Sequence, residues 1–144
     1  MTRILIIGVG NTLRQDDGIG VVAAQELNKT LQHSDVQILV RQQLTPELAQ
    51  NMSEAEKVII IDAEQGKTPG EVTERRIRPK QAQVLTHDVD PAGLLAYSRE
   101  LYGKCPETIV ITVAGRSFDF GENLSVAVAR ALPEIIHRTM RLAS

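Results

Sequence analysis

The segment "GVGNTLRQDDGIG" (8–20) places glycines, an asparagine and the adjacent aspartates Asp16 and Asp17 between an apolar run and an amphipathic one. A strand, a glycine turn and a helix start often open a nucleotide-binding domain, with a phosphate at the helix N-terminus. The residues argue against a phosphate here. Leu13 stands where the third glycine of a dinucleotide fingerprint is required, and two carboxylates would repel a pyrophosphate. No G-x-x-x-x-G-K-[ST] loop occurs in the chain. One carboxylate at a helix start caps free amides and complements the dipole. Two adjacent ones repel, and the second wants a cation. From the residues alone, capping and a cation site account equally well for the pair.

Asp62 ends "KVIIIDA", an apolar run that stops at a carboxylate. In open parallel sheets, ligands bind beyond the carboxyl ends of the strands at a topological switch point. The loop holding Asp17 leaves the first strand at that same edge. Capping the next turn is the alternative role, but "AEQGKTPG" reads as a loop, which favours a site. His33, past the first helix, and His137, in the last turns of the final helix, are expected on the surface. His87 differs, because "LTHDVDP" puts it in a loop before a capped helix. Asp17, Asp62 and His87 would make a set of oxygen and nitrogen metal ligands. Three single residues so far apart carry no fixed register. H-E-x-x-H, G-x-S-x-G and C-x-x-C are all missing from the sequence. Cys105, beside Pro106 in a turn, has no histidine near it and reads as structural or incidental rather than nucleophilic. Arg75, Arg76, Arg78 and Lys80 read as solvated gatekeepers of an edge strand.

The elements that must position these residues follow from periodicity. Continuous apolar runs at 3–9, 36–40, 57–63 and 108–115 predict strands covered on both faces. The alternating run at 70–77, after Pro69-Gly70, predicts an exposed, antiparallel edge strand. Helical periodicity begins at Ile19 and at Leu124, with a kink expected at Pro133. A third helix starts at Asp90-Pro91 and stops at Gly103, and a short one is expected over 45–52 with Thr45 as cap. Alternating strand and helix give an α/β three-layer sandwich: a mostly parallel, roughly five-stranded twisted sheet with helices on both faces.

The 144 residues are expected to form a single domain, 1–144, able to bury a full core without a metal or disulfide staple. A net charge of -2 argues against nucleic acid and anionic membranes as partners, and the one cysteine excludes a disulfide framework. "MTR" leads directly into the first strand, so no signal peptide is expected, and the protein is expected in the cytoplasm.

Taken together, these residues resemble the nickel–iron hydrogenase maturation proteases. The family pattern GxGNxLxxDDGxG is matched without a gap from Gly8 to Gly20, and its strand-end aspartate by Asp62. Its histidine in a "[ST]-x-H" or "[ST]-H" loop is matched by His87 in "THDVDPAGLL". Order and spacing agree over essentially the whole chain. The resemblance implies an endopeptidase that removes the C-terminal extension of a nickel-loaded hydrogenase large-subunit precursor. Asp17, Asp62 and His87 would be its metal-binding and catalytic residues. No tightly bound cofactor is implied, since the nickel arrives with the substrate, though other divalent ions could occupy the site. In this reading Asp16 caps the first helix while Asp17 points to the metal. Many members carry a "DGGT" turn after the second strand, where this chain reads "VRQQLTPELA". That variant, with "LYGKCPETIVITVAGRSFDFGENLS", resembles the subgroup serving bidirectional, NAD(P)-linked hydrogenases. Water activation by the metal and general-base catalysis by a carboxylate both stay open. So do two rival functions, a non-catalytic nickel-checking chaperone and a nucleotide-binding protein.

Overall fold

The computed structural model describes residues 2–81 and 89–144. The apolar runs become β1 (Ile4–Val9), β2 (Val36–Arg41), β3 (Lys57–Gln65) and, after the alternating β4 (Val72–Ile77), β5 (Glu107–Gly115). They form one sheet in the order β2-β1-β3-β5-β4. Every neighbouring pair is parallel except β4 with β5, so β4 is the expected antiparallel edge.

Helices α1 (Ile19–Thr30), α2 (Leu48–Ser53), α3 (Pro91–Tyr102) and α4 (Val126–Ala143) cover both faces. Side chains alternate along each strand, and the two cores divide on that parity. Ile4, Ile6, Ile59 and Ile61 pack under α1 and α4, whereas Leu5, Ile7, Val58 and Ile60 pack under α2 and α3. Burying each such side chain contributes about 1.5–3 kcal/mol relative to leaving it exposed. With both faces of β1 and β3 filled, a one-residue slip would exchange two complete packing layers, so the register is fixed.

The helix ends follow the sequence with two exceptions. Asp90 caps α3 by accepting from Gly93 N at 2.8 Å, and Gly103 ends it in the left-handed conformation. Ser125 caps α4, which runs on through the exposed Pro133. The first exception is α2, which starts at Leu48 rather than near Thr45. Residues 45–47 form a turn closed by Leu48 N donating to Thr45 O, and the Thr45 hydroxyl binds the Glu47 side chain instead of capping. The second is β3, which does not stop at Asp62 but continues to Gln65. The cause is β5, whose length extends the ladder through Gln65↔Gly115 and holds residues 63–65 in the sheet.

The chain passes from β1 outward to β2 and then crosses back to β3. The strand order therefore reverses between β1 and β3, and their carboxyl ends border a crevice. Among the described residues, no helix is long and apolar enough to cross a membrane.

Candidate functional site

The glycine-rich segment builds one wall of that crevice. Gly10 has φ +149°, and a Cβ there would lie 1.8 Å from the Asp17 carbonyl oxygen, so the loop folds tightly onto itself. Asn11 N donates to Asp17 Oδ2 at 2.8 Å, and Leu13 N donates to Asn11 Oδ1 at 2.9 Å. The spacing of glycine, asparagine and second aspartate thus encodes a closed loop that fixes the Asp17 carboxylate. A 3-10 turn, Gln15–Gly18, leads into α1. Gly20 lets that helix rest on the sheet itself, since a Cβ there would meet Ile61 O at 2.3 Å and Val9 O at 2.5 Å.

Asp62 supplies the opposing carboxylate. The last β1–β3 pair is Gly8↔Ile61, so Asp62 is the first β3 residue with no β1 partner beside it. Its parity with Val58 and Ile60 turns it to the α2/α3 face. Oδ1 accepts from Ala63 N at 2.8 Å. Burial pushes the Asp62 carboxyl up to about 7; the Ala63 hydrogen bond opposes this, while the carboxylates of Asp17 and Glu64 add to it.

Asp17 and Asp62 line one cleft of about 300 Å³, walled also by Gly10, by Gln42 and Gln43 after β2, and by Val89–Pro91 at the start of α3. The structure thus brings together two of the three residues picked out from the sequence. The third, His87, lies outside the described residues. Among the described residues, no group of three His, Cys, Asp or Glu side chains could hold a metal ion.

Asp16 does not cap α1. The N-cap there is Gly18, with no side-chain hydrogen bond. Asp16 is fully buried and turned the other way, towards the loop between β5 and α4. Oδ2 accepts from Arg116 N at 2.7 Å, Ser117 N at 3.1 Å and Ser125 Oγ at 2.9 Å, and Oδ1 accepts from Ser125 N at 2.7 Å. Burial acts to raise its pKa, but the hydrogen bonds from Ser125, Arg116 and Ser117 outweigh it and hold the carboxyl below the usual carboxylate range. The adjacent acids therefore do separate work, one clasping a distant loop and one facing the cleft. Sequence periodicity predicts the capping role because a helix start is the nearest set of free amides. The amides used lie about a hundred residues away in sequence, beyond the reach of any local pattern.

Gln42 and Gln43 also escape a motif search, yet they lie on the wall of the cleft, within the stretch after β2. Their position directly after β2, at the carboxyl edge of the sheet, is the signal that could have found them. His33 and His137 are exposed, as expected, and His33 pairs with Asp35. Cys105 is a free, exposed thiol beyond the end of α3.

Three comparisons bear on this geometry. No curated protein sequence matches the chain. Among solved structures, the chain is similar to the hydrogenase maturating endopeptidase HybD from E. coli. That match has a TM-score of 0.79 and 25% identity, covering 98% of this chain and 91% of that one. The [NiFe] hydrogenase maturation protease HycI from Thermococcus kodakarensis KOD1 shares the fold, with a TM-score of 0.75 and 24% identity over 96% of this chain and 90% of that one. The sequence model of the HycI family, hydrogenase maturation protease, matches residues 21–142. That match begins after Asp17, so it stands independently of the glycine–aspartate motif. The chain belongs to the hydrogenase maturation protease family, a family of peptidases.

Proposed function

We propose that this endopeptidase removes the C-terminal extension of a nickel-loaded hydrogenase large-subunit precursor, taking the substrate's nickel on Asp17, Asp62 and His87. The observation that carries the reading is the crowding of Asp17 and Asp62 in one cleft at the switch point, close enough that the Asp17 carboxylate disfavours charge on Asp62. Neither carboxylate has a cationic partner among the described residues, so the repulsion is not relieved within the fold. A divalent cation relieves it, and oxygen ligands joined by an imidazole suit nickel. Two or three ligands leave coordination positions free, which the precursor's own ligands fill. The ion is then held between enzyme and substrate, and the protease keeps no tightly bound metal of its own. Binding at the nickel sets the neighbouring peptide bond of the precursor over the cleft for hydrolysis.

The test is intact-mass measurement of the large subunit after incubation with the protein, using nickel-loaded and nickel-free precursor. A shortened product from the loaded precursor alone is the expected result. Equal cleavage of both forms would show that nickel is not read. Tight binding without any mass change would make the protein a chaperone instead.

A further inference from the structure

The charged residues of β4 divide unevenly between the two faces of the sheet. On the α4 face, Glu74 pairs with Arg138 and Arg141, and Arg76 pairs with Glu107. On the α3 face, Arg75 shares the parity of Ile77, which packs in the core under α2 and α3. Neither Arg75 nor Arg78, just past the strand, has an ion-pair or hydrogen-bond partner among the described residues. Both arginines line a cleft of about 350 Å³ with Ile77, Asp90, Pro91 and Ala92. The carboxylate in that cleft is already committed, because Asp90 accepts from Gly93 N and pairs with Lys80. The walls are fixed to each other: Lys80 N donates to Ala92 O at 3.1 Å, and Arg99 donates to Lys80 O at 3.0 Å. The gatekeeper role predicted for this basic stretch accounts for charge on the strand edge. It does not account for two arginines that line one cavity without a partner among the described residues while the arginine between them is paired.

This cavity adjoins the candidate site. Asp90 and Pro91 line both it and the cleft holding Asp17 and Asp62. An extended chain seated over the carboxylates therefore reaches Arg75 and Arg78 by crossing the first turn of α3. We propose that Arg75 and Arg78 form an anion subsite that takes a carboxylate of the substrate polypeptide and thereby sets how the chain lies across the cleft. The proposal rests on the peptidase reading above and adds a specificity determinant to it. Guanidinium is the group suited to this task, since its planar fork matches a carboxylate with two parallel hydrogen bonds. The carboxylate comes either from an acidic side chain near the cleavage point or from the terminus of the extension.

The test measures equilibrium binding of the full chain to nickel-loaded precursor at low and high salt, beside cleavage. Arg75→Gln/Arg78→Gln should bind about tenfold more weakly at low salt, with the difference shrinking at high salt. Arg76→Gln, on the opposite face of the same strand, should bind as the wild type does. A precursor whose acidic residues around the cleavage point and in the extension are changed to Asn or Gln should bind the wild type as weakly as the unchanged precursor binds the double variant. If only adding neutral residues to the end of the extension has that effect, the terminal carboxylate is the occupant. Equal affinity of wild type and double variant for the unchanged precursor overturns the subsite, whether or not cleavage occurs. Binding without cleavage by the wild type fails the peptidase reading alone. No binding by the wild type overturns both.

Discussion

Asp16 and Ser125 stand 109 residues apart in sequence and are joined twice, by the Ser125 amide and by its hydroxyl. The same hydroxyl oxygen accepts from Val128 N at 3.4 Å, so the carboxylate orients the residue that caps α4. One buried side chain thus ties the loop bearing Asp17 to the start of the last helix.

Asp16→Ala removes the acceptor for four donors in a buried setting and should cost about 3 kcal/mol or more. Chemical denaturation checks the value. Asp16→Asn and Ser125→Ala should be strongly non-additive in a double-mutant cycle, since they break the same contact.

Because Asp16 is held below the usual carboxylate range, the folded state binds fewer protons than the unfolded chain as pH falls. Its stabilisation is full above the unfolded pKa of about 3.9 and is lost as pH drops through the folded value. The stability gap between wild type and Asp16→Asn should therefore narrow in acid, as melting curves from pH 6 down to pH 2.5 would show.

Asp62 works in the opposite direction. With its carboxyl raised to about 7, the folded state holds a proton that the unfolded chain releases near pH 4, so stability falls as pH rises between those values. In chelator-treated protein, Asp62→Asn should melt at a higher temperature than wild type at pH 8, and the advantage should fade towards pH 5. The asparagine oxygen still accepts from Ala63 N, so the ladder is undisturbed.

Asp17→Asn, Asp62→Asn and His87→Ala should each abolish precursor processing while leaving the protein folded. The asparagine at 17 keeps an acceptor for Asn11 N, which separates loss of charge from loss of the loop. Circular dichroism beside the mass assay distinguishes a dead site from an unfolded chain. Cys105→Ala should process normally, because among the described residues no side chain hydrogen-bonds or pairs with the exposed thiol to activate it.

Purified protein should hold well under one metal ion per chain after dialysis, yet take up a divalent ion weakly in titration calorimetry. Zinc retained at one per chain through chelation would mark an autonomous metallohydrolase.

The strands and the two faces of the sheet are legible in the sequence because each depends on a short apolar period. The edge position of β4 reads equally well from its alternation. Asp62 could be picked out because a loop, not a helix, follows its apolar run. The residues alone left the Asp16–Asp17 pair divided between capping and a cation site, and only the family resemblance separated Asp17 from its neighbour. The role of Asp16 was not legible: its partners are backbone amides of residues 116, 117 and 125, and an amide leaves no mark in the amino-acid code. The continuation of β3 past Asp62 was hidden for a related reason, since the length of β5 decides it rather than the residues at 63–65. His87 was singled out from its loop, and it lies outside the described residues.

The clasp at Asp16 also orders events during synthesis. A ribosome releases the Asp17 loop early, but every partner of the neighbouring carboxylate lies at Arg116 or beyond. Until that stretch emerges, Asp16 remains a hydrated acid, and the loop bearing Asp17 lacks its tie to the last helix although α1 can already rest on β1 and β3. Contacts this distant in sequence form late in folding. A nascent chain therefore has the carboxylates of Asp17 and Asp62 before it has the clasp that braces the loop between them and the last helix.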